Sequence, residues 1–376
     1  MKNIYSITSS INPDTEKAVN EIQSVMGKDK KLILFFASSN YEPSKLSNSF
    51  SKAFAKTTVV GCTTSGEIIT GRMLDNAVVA IGFDDDCLKD FSVEIVQGIK
   101  TNPDAVATAF KQFENHFGKS ESLHYDEYVG IVLTDGLGGT EELVMDKIGN
   151  LSDITFIGGS TGDDMKFKET TLYYNNEIYH EGSLLLLLKP KQKFSTLKTQ
   201  SFRATGKKLL VTKGDESKRK VIEFNHKPAT EAYAEAMEIP LEQLAGKMFY
   251  SPLGLMSGDE PFVRSPRTIE NSDINFFCSV KEGTELMLLE STDIVEDTIS
   301  ALLKKEKEGN ISCIINFNCI LRTLDLKKQN KTKEYGEVFK NHPTVGFSTY
   351  GESFIGHINQ TATMLIFFSD TVQKSL

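Results

Sequence analysis

The stretch "VGFSTYGES", Val345–Ser353, sets a β-branched residue and a glycine ahead of paired hydroxyls, a second glycine and a carboxylate. Two other stretches keep that order: "VGCTTSGEI" from Val60 and "IGGSTGDDM" from Ile157. Gly61, Gly158 and Gly346 follow apolar residues suited to strands. Gly66, Gly162 and Gly351 fall where a turn needs positive φ or a close backbone approach. A carboxylate closes each copy, at Glu67, Asp163 and Glu352.

The same order of elements surrounds each copy. "KLILFFASS" leads through a helical stretch around "SKLSNSFSKAF" to "TTVVGCTTSGE". "YVGIVLTDG" leads through "TEELVMDKIGN" to "TFIGGSTGDD", and "SCIINFNCILR" leads through the charged "KKQNKTKEYGEVF" to "TVGFSTYGE". Strand, helix, strand, motif is the predicted period, and an internal repeat is the reading. Strands joined through a helix lie parallel with a right-handed crossover, so each motif falls where the second strand ends. Open α/β sheets place ligands beyond such ends. After the first and third copies, "IITGRMLDNAVVAIGFDDD" and "SFIGHINQTATMLIFFSD" match in length and pattern. After the second, "YNNE" reads as a hairpin turn. The fold class is therefore mixed α/β, with sheets flanked by helices and two related modules, 1–195 and 200–376. They part in "KPKQKFSTLKTQS", where charge and Pro190 interrupt the apolar pattern.

Further elements fit. "NPDAVATAFKQFENHF" reads as a helix with Asn102 as N-cap, Pro103 in its first turn and Val106, Phe110, Phe113 and Phe117 on one face. "STDIVEDTISALLKKEKEGN" reads as a helix starting near Asp293. A third helix opens near Pro228 after two strands about a polar turn.

Composition excludes several classes. The 376 residues carry a net charge of −9, against the clustered Lys and Arg that nucleic acid or an anionic membrane surface needs. The N-terminal residues lack an apolar signal-peptide core, and "SLLLLLK" from Ser183 is far short of the roughly 20 residues a membrane-spanning helix requires. It reads as a buried strand, with no membrane insertion. Five cysteines without a CxxC pair suit a reducing cytoplasm and offer no structural zinc site.

For chemistry, the motif itself has two readings. Its hydroxyls, Ser160 and Thr161 among them, can satisfy the backbone of tight turns. Alternatively, Gly66, Glu67, Asp163, Gly351 and Glu352 supply amides and carboxylates for recognising both anion and cation. Arg322, closing the run "IINFNCILR", can hold a ligand carboxylate bidentately or form a structural ion pair. His357 and Asn359 follow the third motif, and Tyr350 lies within it. Cys62 and Cys319 are candidate nucleophiles, with no base at a fixed spacing. The loop "TDGLGGTEE" resembles a phosphate cradle but lacks the lysine, and Glu141 and Glu142 repel an anion there, so Thr140 reads as a helix cap.

These motifs together resemble the FIST sensory domain family. "VVGCTTSGEI", "GIVLTDGLGG" and "FIGGSTGDD" look like its N-terminal module. "VIEFNHKPATEAYAEAM", "NFNCILR" and "TVGFSTYGESFIGHINQTATMLIF" look like its C-terminal module. The resemblance implies a cytoplasmic, non-enzymatic sensor of small ligands such as amino acids, acting with a histidine kinase, diguanylate cyclase or chemoreceptor. It implies no cofactor, or else haem held by His357 for sensing nitric oxide. A thiol-dependent enzyme is the remaining alternative.

Overall fold

In the computed structural model, residues 4–118 and 124–369 are described. They form two compact units: Met1–Thr199 with Thr298–Gly356 and Ala362–Leu376, and Gln200–Asp297 with His357–Thr361. A single cut between residues 195 and 200 does not reproduce these units, because the chain returns to the first one at Thr298. The stretch read as an interruption is itself mostly strand, Gly182–Pro190 followed by Phe194–Gln200.

The first unit rests on three parallel strand pairs, each joined through helix. Leu32–Ser38 pairs with Thr58–Thr64 across Pro43–Ala53. Val129–Thr134 pairs with Phe156–Ser160 across Glu141–Leu151. Ile311–Cys319 pairs with Thr344–Thr349. This last connection differs from the expected single charged helix. It holds two helices, Ile320–Lys328 and Thr332–Val338, broken where Asn330 takes a left-handed conformation. Each pair gains an antiparallel return strand: Val78–Phe83, Gly182–Pro190 and Thr361–Phe368.

The far side of each motif strand takes a strand from a different unit of the period. Glu67–Ile69, after the first motif, pairs with Thr344–Thr349. Glu352–Phe354, after the third, pairs with Phe156–Ser160. Leu172–Tyr174, after the second, pairs with Thr58–Thr64. The exchange closes in a circle of three.

The sheets turn one apolar face to a shared core that includes Phe36, Val60, Ile131, Leu186, Phe317 and Phe347. Phe347 lies 4.7 Å from Phe36 and 5.8 Å from Phe317, ring centre to ring centre. Helices cover the opposite faces of two sheets. Leu46 and Phe50 pack on Phe35, and Val106, Phe110 and Phe113 pack on Val132 and Phe156. That last helix is Ala105–Phe117, starting beyond Asn102 and Pro103. Asn102 Oδ1 instead accepts from the Asp104 amide at 3.2 Å in the turn before it.

The second unit is an antiparallel sheet in which Phe202–Asp215 pairs with both Lys220–Phe224 and Glu285–Ser291. The helix Ala229–Met237 sets Tyr233 into its core, and the Tyr233 hydroxyl donates to the Ser251 carbonyl at 2.6 Å. Gln360 ties the late segment into this unit, accepting from Ser265 Oγ at 2.7 Å and donating to the Phe249 carbonyl at 3.0 Å. No helix among the described residues is long and apolar enough to cross a membrane.

The first glycine of the third motif is fixed by the parallel pairing. A Cβ on Gly346 would fall on the Asn316 carbonyl of the neighbouring strand. Gly346→Ala must therefore part the pair, and a loss of about 1–3 kcal/mol or more is expected. Thermal melts check this against Gly149→Ala, in the last turn of the helix Glu141–Leu151, where nothing lies within 4 Å of the new Cβ. The first variant melts lower than wild type and the second melts equal or higher.

Candidate functional site

Because the three motif strands run parallel to their partners and end together, their loops meet at one end of the first unit. The loops bond to one another through the backbone. Ser348 N donates to Gly66 O at 2.7 Å, and Ser65 N donates to Ser348 O at 3.2 Å. Ser160 N donates to Gly351 O at 2.7 Å, and Tyr350 N donates to Ser160 O at 3.0 Å. Thr63 N donates to Thr171 O at 2.9 Å, and Gly162 N donates to Thr63 O at 3.1 Å. The second copy alone delays its return, inserting Asp163–Thr170 between Gly162 and Thr171.

The carboxylates fasten this ring from inside. Glu67 accepts from Thr64 Oγ1 and from the Ala77 amide, the latter at 3.0 Å, and Glu352 accepts from Thr349 Oγ1. Asp163 accepts from the amides of Phe167, Lys168 and Glu169 at 2.9, 2.6 and 3.2 Å, and from the Tyr350 hydroxyl at 2.5 Å. Its acceptor positions are thus taken by the chain. Burial, then the Asp163 bond, pushes Tyr350 up to about 12, so it remains a donor. Tyr350 also accepts from the Met165 amide at 3.0 Å and stacks on Phe167. These contacts hold a strained insert, in which Asp164, Met165 and Phe167 all have positive φ.

Arg322 differs from its expected place. It lies in the first turn of the helix Ile320–Lys328 rather than closing a strand, and it is 2% exposed. Its guanidinium donates to Asn318 Oδ1 at 3.0 Å and to Thr298 Oγ1 at 3.1 Å. Asn318 Nδ2 donates to Thr323 Oγ1, which meets Ser348 Oγ at 2.8 Å. A buried polar chain therefore runs from Arg322 to the third strand end. Asn318, Thr323 and Tyr335, whose hydroxyl also reaches Asn318, were not picked out by sequence reasoning. A polar residue at alternate positions of the apolar run "IINFNC" was the available signal.

The ring thus gathers Gly66, Glu67, Ser160, Thr161, Asp163, Tyr350, Gly351 and Glu352. Thr161 Oγ1 accepts from Gly136 N at 3.2 Å. His357 and Asn359 belong to the second unit, buried, with His357 Nε2 3.5 Å from Asn359 Nδ2. A haem ligand needs its ring nitrogen facing an open slot, and this packing would have to be vacated first, so the residues do not fit that group. All five cysteines are buried, and burial, then Glu67, raises the Cys62 thiol well above its ordinary range. That disfavours a thiolate nucleophile there. No cluster of three or more His, Cys, Asp or Glu able to hold a metal occurs among the described residues.

Similarity to known proteins agrees with this architecture. A FIST N domain model matches residues 31–227, and a FIST C domain model matches residues 229–354. The chain belongs to the FIST family. FIST domains are associated with sensory signal transduction and are often linked to signalling proteins. The chain is 24% identical over 306 residues to an uncharacterized protein of Methanocaldococcus jannaschii, a match covering 74% of this chain and 57% of that relative.

The ring of this FIST protein carries a pH signature. Burial is the largest influence on Glu67 and lifts it from 4.5 to about 8, with the Asp164 and Asp75 carboxylates adding to it against the Thr64 and Ala77 bonds. The folded state therefore keeps a proton that the unfolded chain releases. That stability is fully present below about pH 4.5 and is lost as pH rises through about 8, a change of the order of a few kcal/mol. Glu67→Gln removes the dependence: its melting temperature varies less than wild type across this window, measured by calorimetry.

Proposed function

We propose that this chain is a cytoplasmic sensory module that recognises a small zwitterion, such as an amino acid, at the strand-end face of its first unit. It signals to a separate partner such as a histidine kinase, diguanylate cyclase or chemoreceptor. The observation that carries the reading is the closure of three strand ends into one bonded ring. A ligand meeting any one loop acts on all three, which is what a sensor needs in order to convert occupancy into a change of state. The position agrees with the general preference of α/β sheets for ligands beyond strand ends.

In this reading Arg322, Glu67, Glu352 and Asp163 form the frame behind the ligand. The burial of all four and their bonds to the chain support that role over direct contact. A thermal-shift screen over the amino acids and related zwitterions is expected to give at least one stabilising hit. Arg322→Lys loses the planar fork shared by Asn318 and Thr298 and lowers the melting temperature of the free protein, while the ligand-induced shift persists. A screen without any hit contradicts the ligand class. A hit abolished by Arg322→Lys in a protein that still folds contradicts the framing role.

A further inference from the structure

The insert Asp163–Thr170, present only in the second copy, walls a cavity of about 170 Å³ beyond the end of the strand Val129–Thr134. Asp135, Gly138, Lys168, Glu169, Thr170 and Glu181 are among its lining residues. Asp135 is 5% exposed, and its Oδ1 accepts from the Leu137 amide at 3.1 Å and from Thr170 Oγ1 at 2.5 Å. No described residue donates to its Oδ2. That oxygen stays uncovered because residue 138 is glycine: a Cβ there would lie 2.6 Å from Oδ2. Asp135 Oδ2 is not among the fully buried unpartnered atoms, so it is reached from the cavity and an entering donor can replace water on it while Oδ1 stays held by the chain.

We infer that this cavity is the zwitterion site of the first unit, with a ligand ammonium donating to Asp135 Oδ2. The inference rests on the sensory reading above and assigns its contact residues. Glu169 and Glu181 add negative charge around the ammonium. Lys168 forms no ion pair among the described residues and takes the ligand carboxylate at the mouth. The volume lies below the range of drug-sized sites, which restricts the ligand to a small molecule. A phosphate is disfavoured, because Asp135, Glu169 and Glu181 line the cavity against Lys168 and His180, and the His180 Nδ1 is occupied at 3.0 Å from the Thr170 carbonyl. Asp163 and Tyr350 act as positioning residues, since Asp163 holds the amides of Lys168 and Glu169 and Tyr350 holds Asp163. Occupancy is thereby transmitted from the insert to the third motif.

Isothermal titration with the twenty amino acids, ethylammonium and acetate tests the assignment on wild type, Asp135→Asn, Gly138→Ala and Lys168→Met. Gly138→Ala keeps every charge and places its methyl over Oδ2, and Gly138 is not among the positive-φ glycines. At least one amino acid is expected to bind wild type, and its affinity falls tenfold or more in Asp135→Asn and in Gly138→Ala. Lys168→Met, at an exposed position, weakens the amino acid and leaves ethylammonium unchanged. Amino-acid binding that is unaltered in folded Gly138→Ala and Lys168→Met overturns this site and leaves the sensory reading in place. Absence of binding by every probe to wild type overturns both the site and the zwitterion class.

Discussion

Three reciprocal sets of backbone hydrogen bonds, at Ser348, Ser160 and Thr63, hold the first unit together at the ends of its motif strands. Each set joins one strand end to the loop of a different copy, so no strand–helix–strand element completes its own sheet. The far edge of each sheet is supplied in a circle: first copy to third, third to second, second to first. Removing one loop would leave unpaired amides and carbonyls in a buried setting, which is costly. The requirement explains why the side chains that follow the glycine are short and hydrogen-bonding. The glycine ahead of the hydroxyls has a separate cause, since the carbonyl of the parallel partner strand in the same copy leaves no room for a side chain at Gly61, Gly158 or Gly346.

Carboxylates buried at such a place are fasteners first. Glu67 and Glu352 each take a hydroxyl from three residues earlier, Thr64 and Thr349. Asp163 performs a related task on a longer insert, gathering three amides and a tyrosine hydroxyl. That insert is where the second copy departs from the others, and the departure brings an underused carboxylate, Asp135, to the edge of a cavity. FIST domains are associated with sensory signal transduction, and the insert is where the proposed ligand site adjoins the ring.

Much of the fold was legible in the sequence. Strand, helix, strand and motif follow from apolar runs alternating with helical stretches, and all three parallel pairs form where those signals place them, although Thr140, read as a helix cap, makes no side-chain cap bond. The circular exchange was not legible, because periodicity reports which face of a strand is buried and says nothing about which edge it offers to a distant hairpin. Arg322 was misplaced for a related reason. "IINFNCILR" is one apolar run, and a strand that passes directly into a helix at Ile320 leaves no break in it. The start at Ala105 was obscured because Asn102 and Pro103 mimic a helix opening while forming the preceding turn. In the candidate site, the acids of the motif were identified, but their burial was not, since a carboxylate in a glycine-rich turn reads as exposed. Asp135 was passed over because "TDGLGGTEE" was weighed for phosphate, and its glycines instead leave a carboxylate oxygen uncovered.

The account depends on the three strand ends opening as one. Native-state hydrogen exchange of the amides of Ser65, Ser160, Gly162, Ser348 and Tyr350 measures this most directly, because each donates across copies. The expected result is a shared opening free energy close to that of global unfolding, lowered together when the second insert is loosened by Tyr350→Phe. Independent opening of the three loops, each at its own low free energy and unaffected by changes in the others, would contradict it.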